Sequence, residues 1–192
     1  MPKLLHIDSG IQGDASVSRL LSAAATARLI SACPSLDVTY RDLVADPPSH
    51  LTLATYGEDE AKATLTEFMA ADIVVIGASL YNFTVPSQLK AWIDRILVAG
   101  ATFRYGASGP EGLVGDKRVV VAVARGGVYE ADGPMGSFEH AETYLRSVLA
   151  FIGITSPEVV VAEGTAKGDA ARAAAIEAAL ERIETLQGSS HA

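Results

Sequence analysis

Lys3-Leu4-Leu5-His6-Ile7-Asp8, running into Ser9-Gly10-Ile11-Gln12-Gly13-Asp14-Ala15-Ser16-Val17-Ser18, is the stretch on which the fold turns. The first six residues read as a short β-strand that enters a turn rich in hydroxyls and glycine. From Ser18 to Ala32 the apolar residues Leu21, Ala25 and Leu29 recur at the spacing of one helical face. A strand–turn–helix unit of this kind brings backbone N–H groups, serine hydroxyls and the positive end of a helix dipole to one place, the donor set that holds a phosphate. The same serines also serve as plain N-caps, because a serine oxygen satisfies an orphan N–H of a first helical turn. Taken alone, the stretch leaves both readings open.

Working outward, strand-like and helix-like segments alternate. Asp37 to Leu43 alternates in polarity and reads as a second strand near a sheet edge; a loop with Pro47-Pro48 follows, then a helix from Glu58 to Ala71. Ile73-Val74-Val75-Ile76-Gly77-Ala78 and Arg118-Val119-Val120-Val121-Ala122-Val123-Ala124 are continuous apolar runs, as expected of central parallel strands covered on both faces. Between them Leu89, Ile93 and Ile96 mark a helical face with Trp92 beside it. A helix near Phe138–Ile152, a strand near Glu158–Ala162 and a closing helix carrying Ile176, Leu180 and Ile183 complete the pattern. Strands alternating with helices predict an α/β fold, doubly wound in three layers around a five-stranded parallel sheet. The expected domain is 1–187, with 188–192 a flexible tail.

Composition narrows the function. The chain has 192 residues, 49% of them apolar, and a formal charge of −8. That balance speaks against nucleic acid, whose binding rests on Lys and Arg at phosphates, and against charge-driven attachment to membranes. No stretch reaches the roughly 20 apolar residues that span a bilayer, and no signal-type segment opens the chain, so a cytoplasmic location is expected. The single Cys33 has no disulfide partner and is expected to be a small buried filler at the end of the first helix. No His, Cys and carboxylate spacing suggests a metal.

In a doubly wound fold, ligands bind beyond the carboxyl ends of the strands. Two more loops therefore join the first. After the third strand come Ser79-Leu80-Tyr81-Asn82-Phe83-Thr84-Val85-Pro86-Ser87, two aromatics around an amide, with Pro86 placed to start a helix. A flat ring would rest here against Tyr81, Asn82 and Phe83; the plainer reading packs both aromatics onto the core. After the fourth strand come Ala124-Arg125-Gly126-Gly127-Val128-Tyr129, where paired glycines let backbone approach a ligand. The plainer reading is a simple Gly-Gly turn with Arg125 in a surface ion pair.

With the three loops in order, the chain resembles the FMN-dependent NADH-azoreductases, also called FMN-dependent NADH:quinone oxidoreductases. The carriers are Ser16-Val17-Ser18, Leu80-Tyr81-Asn82-Phe83 and Ala124-Arg125-Gly126-Gly127, supported by Gln88-Leu89-Lys90, Thr102-Phe103-Arg104-Tyr105, Gly109-Pro110-Glu111-Gly112-Leu113 and Phe151-Ile152-Gly153-Ile154. The resemblance implies a flavodoxin-like fold and a homodimer with two FMN sites near the interface. It carries the FMN phosphate over to Ser9, Gly10, Ser16, Val17 and Ser18, and the ring to Leu80, Tyr81, Asn82 and Phe83. The pyrimidine side of the ring falls to Ala124, Arg125, Gly126 and Gly127, and the substrate side to Phe83, Tyr105, Tyr129 and Phe151.

Three departures from the resemblance stand out: Gly10 stands where many relatives have a second serine, Ala124 stands where a serine or threonine is frequent, and the segment from Asp46 to Glu60 is shorter than in some relatives. The first two imply lost bonds to the cofactor. The implied reaction passes two electrons from NADH or NADPH through FMN to a quinone or azo compound, by ping-pong exchange at one site. No acid–base triad is expected. His6 reads as buried, and His50 and His140 as loop residues. A flavodoxin-type electron carrier and a scaffold without cofactor are the competing readings.

Overall fold

The computed structural model describes residues 1–55 and 59–187. The chain runs β1 (Lys3–Asp8), α1 (Val17–Ala32), β2 (Asp37–Asp42), α2 (Asp59–Ala70), β3 (Ile73–Ser79), α3 (Ser87–Ile96), β4 (Phe103–Gly106), β5 (Gly109–Gly112), β6 (Arg118–Ala124), α4 (Glu142–Phe151), β7 (Glu158–Ala162) and α5 (Asp169–Glu184). Five strands form one parallel sheet in the order β2-β1-β3-β6-β7. The apolar runs of β3 and β6 lie at its centre, and the alternating β2 lies at an edge, as their patterns predict. The helix expected from Glu58 begins within the described residues at Asp59, and the expected tail 188–192 lies outside them.

Side chains that alternate along the strands feed two cores. On one face Leu5, Ile7, Val74, Ile76, Val119 and Val121 pack against Phe68 of α2, Leu89, Trp92 and Ile93 of α3, and Leu145 and Leu149 of α4. On the other, Leu4, Ile73, Val75, Val120 and Ala122 pack against Leu21, Ala25 and Leu29 of α1 and Ala179 and Ile183 of α5. Among the described residues, no helix is long and apolar enough to cross a membrane.

The structure departs from the sequence reading in three places. Strands β4 and β5 pair antiparallel as a separate hairpin within the glycine-rich segment between α3 and β6. The fourth helix starts at Glu142, not near Phe138, because Glu139 turns its carboxylate onto the N–H groups of Ala141, Glu142 and Thr143 at 2.9, 2.8 and 3.1 Å. Such a carboxylate satisfies the orphan donors of a first turn and so fixes where it begins. Cys33 is only half-buried, at the C-cap of α1, with Sγ 3.4 Å from Ser35 Oγ.

Candidate functional site

The loops after β1, β3 and β6 all leave the same end of the parallel sheet. The first is anchored at once: Ser9 Oγ donates to Gly77 O at 2.7 Å, and Ser9 N–H to the same oxygen at 3.2 Å. The chain then makes an exposed 3-10 turn at Gly13–Ala15 and enters α1. Ser16 is the N-cap of that helix, accepting from Arg19 N–H at 3.5 Å. Its Oγ lies 3.1 Å from Ser18 Oγ, which lies 2.9 Å from Ser79 Oγ. Ser9, Ser16 and Ser18 are all buried. Ser16 therefore caps the helix, as the plainer reading has it, while a file of hydroxyls runs beneath the turn. The first-turn N–H groups of Val17 and Ser18 have no intrahelical acceptor.

Gly10 proves to be a steric choice. A Cβ there would stand 2.2 Å from Ser16 Oγ and 3.0 Å from Ser18 Oγ. The glycine makes room for the hydroxyl file, so a serine at position 10 has no space in this arrangement.

Below the turn sits a buried carboxylate. Asp8 accepts from Ser22 Oγ at 2.6 Å and from Tyr40 OH at 3.1 Å, with His6 Nε2 3.5 Å away. Burial, and next the negative charge of Asp8, push the Tyr40 phenol up to about 12. His6 is buried as expected, and His50 and His140 are exposed.

The second loop is a strained two-residue turn. Tyr81 and Thr84 exchange backbone hydrogen bonds at 3.0 and 3.1 Å, and between them Asn82 and Phe83 both take left-handed backbone, at φ 47° and 74°. For a bulky phenylalanine that conformation is an outlier of the kind found at ligand clamps. It is braced from α4's side: His140 N–H donates to Phe83 O at 2.9 Å, and the Phe83 and Phe138 rings lie 5.2 Å apart. Leu80 N–H is held by Ala124 O at 2.9 Å. The first two loops also touch, through Ile11 N–H donating to Tyr81 OH at 3.2 Å.

In the third loop the backbone and the arginine part company. Arg125 is buried, and its guanidinium is engaged by Glu163 and Glu142, each at 2.5 Å, and by Glu139 at 3.4 Å. It is thus neither a surface ion pair nor free to reach a ligand edge; it ties the end of β6 to the start of α4 and the end of β7. The carbonyls of Arg125, Gly126 and Gly127 accept from the N–H groups of Thr165, Ala166 and Gly164. The loop after β7, which sequence reasoning passed over, is therefore part of this rim. Tyr129 folds its ring back to within 3.2 Å of where a Cβ of Gly127 would stand.

Tyr105 and Phe151 lie elsewhere in the chain. Both pack on Phe103, with ring centroids 5.5 and 4.7 Å away, and Tyr105 is 75% exposed on the β4–β5 hairpin. Phe151 ends α4, nine residues after the Glu142 that binds Arg125, which is about 14 Å along a helix axis. A single chain thus joins the first two loops through the Ile11–Tyr81 contact and groups Tyr105 and Phe151 around Phe103.

The donor set of neutral hydroxyls and helix-start N–H groups suits an anionic phosphate, and the aromatic turn beside it suits a flat ring. Comparisons with known proteins place the chain in a family. The flavodoxin-like fold family matches residues 2–186. An FMN-dependent NADH:quinone oxidoreductase of Methylorubrum populi is 55% identical over 200 residues, spanning 96% of this chain and 98% of that protein. A second protein of that name from Bradyrhizobium diazoefficiens is 55% identical over 199 residues, spanning 96% and 98%. Among solved structures, an azoreductase from Bacillus anthracis superposes with a TM-score of 0.85 at 31% identity, covering 97% of this chain and 100% of that one. An FMN-dependent NADH-azoreductase of the same species, in complex with FMN, superposes with a TM-score of 0.85 at 25% identity over 96% of each chain. The chain belongs to the FMN-dependent NADH:quinone oxidoreductase family, on a flavodoxin-like fold.

Proposed function

We propose that this chain is an FMN-dependent oxidoreductase that passes two electrons from NADH or NADPH to a quinone or an azo compound. One observation carries the reading: the Ile11 N–H to Tyr81 OH contact, at 3.2 Å, joins the hydroxyl-lined helix start to the strained aromatic turn. Phosphate donors and a ring support thereby sit side by side.

The residues divide the work. Gly10, Ser16, Val17 and Ser18 hold the phosphate through N–H groups and through hydroxyls that rotate to donate. Ser9, with N–H and Oγ both on Gly77 O, anchors the start of the loop and contributes only by turning its hydroxyl. Leu80, Tyr81, Asn82 and Phe83 bear on the ring, and the backbone of Ala124, Arg125, Gly126 and Gly127 lines its polar edge. The bound flavin supplies the two-electron chemistry between nicotinamide and acceptor; the protein positions both and excludes water. Phe83 and Tyr129 wall the substrate side. We infer a cytoplasmic homodimer, with 1–187 as one FMN-binding domain, in which a second copy brings Tyr105 and Phe151 toward the rim that one protomer leaves without them.

The test is anaerobic titration of the FMN-reconstituted protein with NADH and then NADPH. The yellow absorbance should bleach, and a quinone or an azo dye should restore it. A protein that retains no FMN, or whose flavin NADH leaves oxidised, refutes the reading. Sedimentation of the wild type and Tyr105→Ala tests the dimer.

A further inference from the structure

One peptide in the first loop is gripped from both sides. The Gly10 carbonyl accepts from Arg19 Nε at 2.8 Å, and the N–H of the same Gly10–Ile11 peptide donates to Tyr81 OH at 3.2 Å. Arg19 is itself locked. Its Nη1 and Nη2 form a fork on Asp42 at 2.8 and 2.6 Å, and Nη1 also reaches Tyr40 OH at 3.2 Å. Asp42 in turn accepts the N–H groups of Val44 and Ala45 at 2.9 and 3.3 Å, which ties it to the turn leaving β2. A continuous chain of bonds thus runs from the edge strand, through Arg19, to the loop and on to the aromatic turn.

A peptide's C=O and N–H point in opposite directions, so the direction of one sets the other. A carbonyl facing a phosphate repels it, whereas an N–H attracts it. We propose that Arg19 is a positioning residue for the phosphate-binding loop: held by Asp42, it draws the Gly10 carbonyl away from the phosphate, while Tyr81 fixes the other side of the same peptide and so sets phosphate loop and ring loop in one register. The proposal rests on the FMN reading above. The far end of the loop has a grip of its own, Arg172 Nη2 donating to Ala15 O at 2.7 Å.

Arg19 does not act as a cation against the phosphate. Each of its three nitrogens has an acceptor, and the Asp42 carboxylate offsets its charge. The Arg19 fork, opposed by burial and helped by the Val44 and Ala45 N–H groups, holds the Asp42 carboxyl down at about 2, so the pair stays ionised across the range in which proteins are handled. A lysine offers a point charge without the planar third donor, and cannot hold a carboxylate fork and a carbonyl together.

The test separates the phosphate from the ring by titrating the FMN-free protein with FMN and with riboflavin, reading flavin fluorescence. Wild type, Arg19→Lys, Arg19→Met and Asp42→Asn are compared, with Arg41→Met as a control that breaks a different β2 ion pair, Arg41 with Glu67. Arg19→Met should weaken FMN binding about tenfold or more while riboflavin binding moves by less than about twofold. Asp42→Asn keeps the Arg19 charge but frees its side chain, and should lower the FMN-to-riboflavin preference in the same direction. Arg19→Lys should behave like Arg19→Met, and Arg41→Met like wild type. An unchanged preference in Arg19→Met overturns the proposal. So does a loss confined to Arg19→Met with Asp42→Asn like wild type, which would make Arg19 a direct charge on the phosphate. If Arg19→Met fails to fold, Asp42→Asn decides by the same ratio. Wild-type protein that binds neither flavin would instead overturn the FMN reading itself, and the proposal with it.

Discussion

Gly10→Ala puts one methyl group where the first loop has no room for it. The new Cβ would stand 2.2 Å from Ser16 Oγ, 3.0 Å from Ser18 Oγ and 3.2 Å from Ser16 Cβ. Rotating Ser16 is no escape, because its oxygen is the N-cap of α1 and the first member of the hydroxyl file. Loss of the cap costs about 1 kcal/mol, and the broken hydroxyl contact about 1 kcal/mol more. Keeping Ser16 in place means moving backbone instead, at about 1–3 kcal/mol. Gly10 does not have left-handed backbone, so alanine recovers about 0.4–1 kcal/mol by restricting the unfolded chain. The net expectation is a loss of about 1–2 kcal/mol, or a drop of about 3–6 °C in Tm for a domain of this size. Urea unfolding of the FMN-free protein measures the first figure and a thermal melt the second. FMN affinity should fall alongside, since the same hydroxyls would face the phosphate. A variant as stable as wild type refutes the crowding argument. A Gly10→Ser protein that bound FMN more tightly would show that the glycine is a missing hydroxyl after all.

Arg125→Met should destabilise the protein by about 3 kcal/mol or more in urea, because it strands Glu139, Glu142 and Glu163 around an uncharged side chain; a loss below about 1 kcal/mol would mean that the cluster contributes little. Gly112→Ala should cost about 2–3 kcal/mol, since its Cβ would stand 2.1 Å from Gly153 N with backbone on either side, and the hairpin carrying Tyr105 should loosen, read as faster amide exchange across β4 and β5. Asp42 sits at about 2 against its ordinary 3.8, chiefly through the Arg19 fork, and its side chain is 26% exposed. Its folded value is the lower one, so the stabilisation, about 2 kcal/mol, is complete above roughly pH 4 and fades as pH falls through about 2. The stability gap between wild type and Asp42→Asn should follow that course, and a gap unchanged down to pH 2 would contradict it. Phe83→Gly relieves a left-handed phenylalanine but gives up the Phe138 stack, so stability should move by less than about 1 kcal/mol while FMN binding weakens.

What could be read from the chain was whatever repeats locally. The runs 73–78 and 118–124 announce central strands because both of their faces are buried, and burial on both faces leaves an unbroken apolar stretch. The hairpin of β4 and β5 has no such mark. Each strand is four residues long, β5 reads Gly-Pro-Glu-Gly, and its place is set by the approach of Gly112 to Gly153, some forty residues on. Periodicity places the start of α4 too early because Phe138 extends the apolar pattern backwards, although its ring belongs to the Phe83 stack. At the site, serines before a helix and aromatics after a strand are legible as local chemistry. The buried cluster of Arg125 with Glu139, Glu142 and Glu163 is not, since its members come from three elements and share no spacing. The same holds for Arg19 of α1 and Asp42, which meet because the parallel pairing of β1 and β2 sets Asp42 beside Asp8 at the strand end that leads into α1.

The strained turn at Asn82–Phe83 shows how those non-local contacts act on the site. Two left-handed residues outside glycine cost about 1–3 kcal/mol each, a sum the turn alone does not offset. The cross-turn bonds between Tyr81 and Thr84 hold its base, His140 N–H holds the Phe83 carbonyl, and Phe138 holds the ring. His140 and Phe138 are fixed in turn where Glu139 caps α4, and Glu139 lies 3.4 Å from the buried Arg125. The second loop therefore depends on the third through the start of α4, just as it depends on the first through Tyr81. A turn constrained from so many sides loses little entropy when a flat ring settles on it, which is the advantage of preorganisation. The strain persists because relaxing it would break contacts made on three separate elements at once.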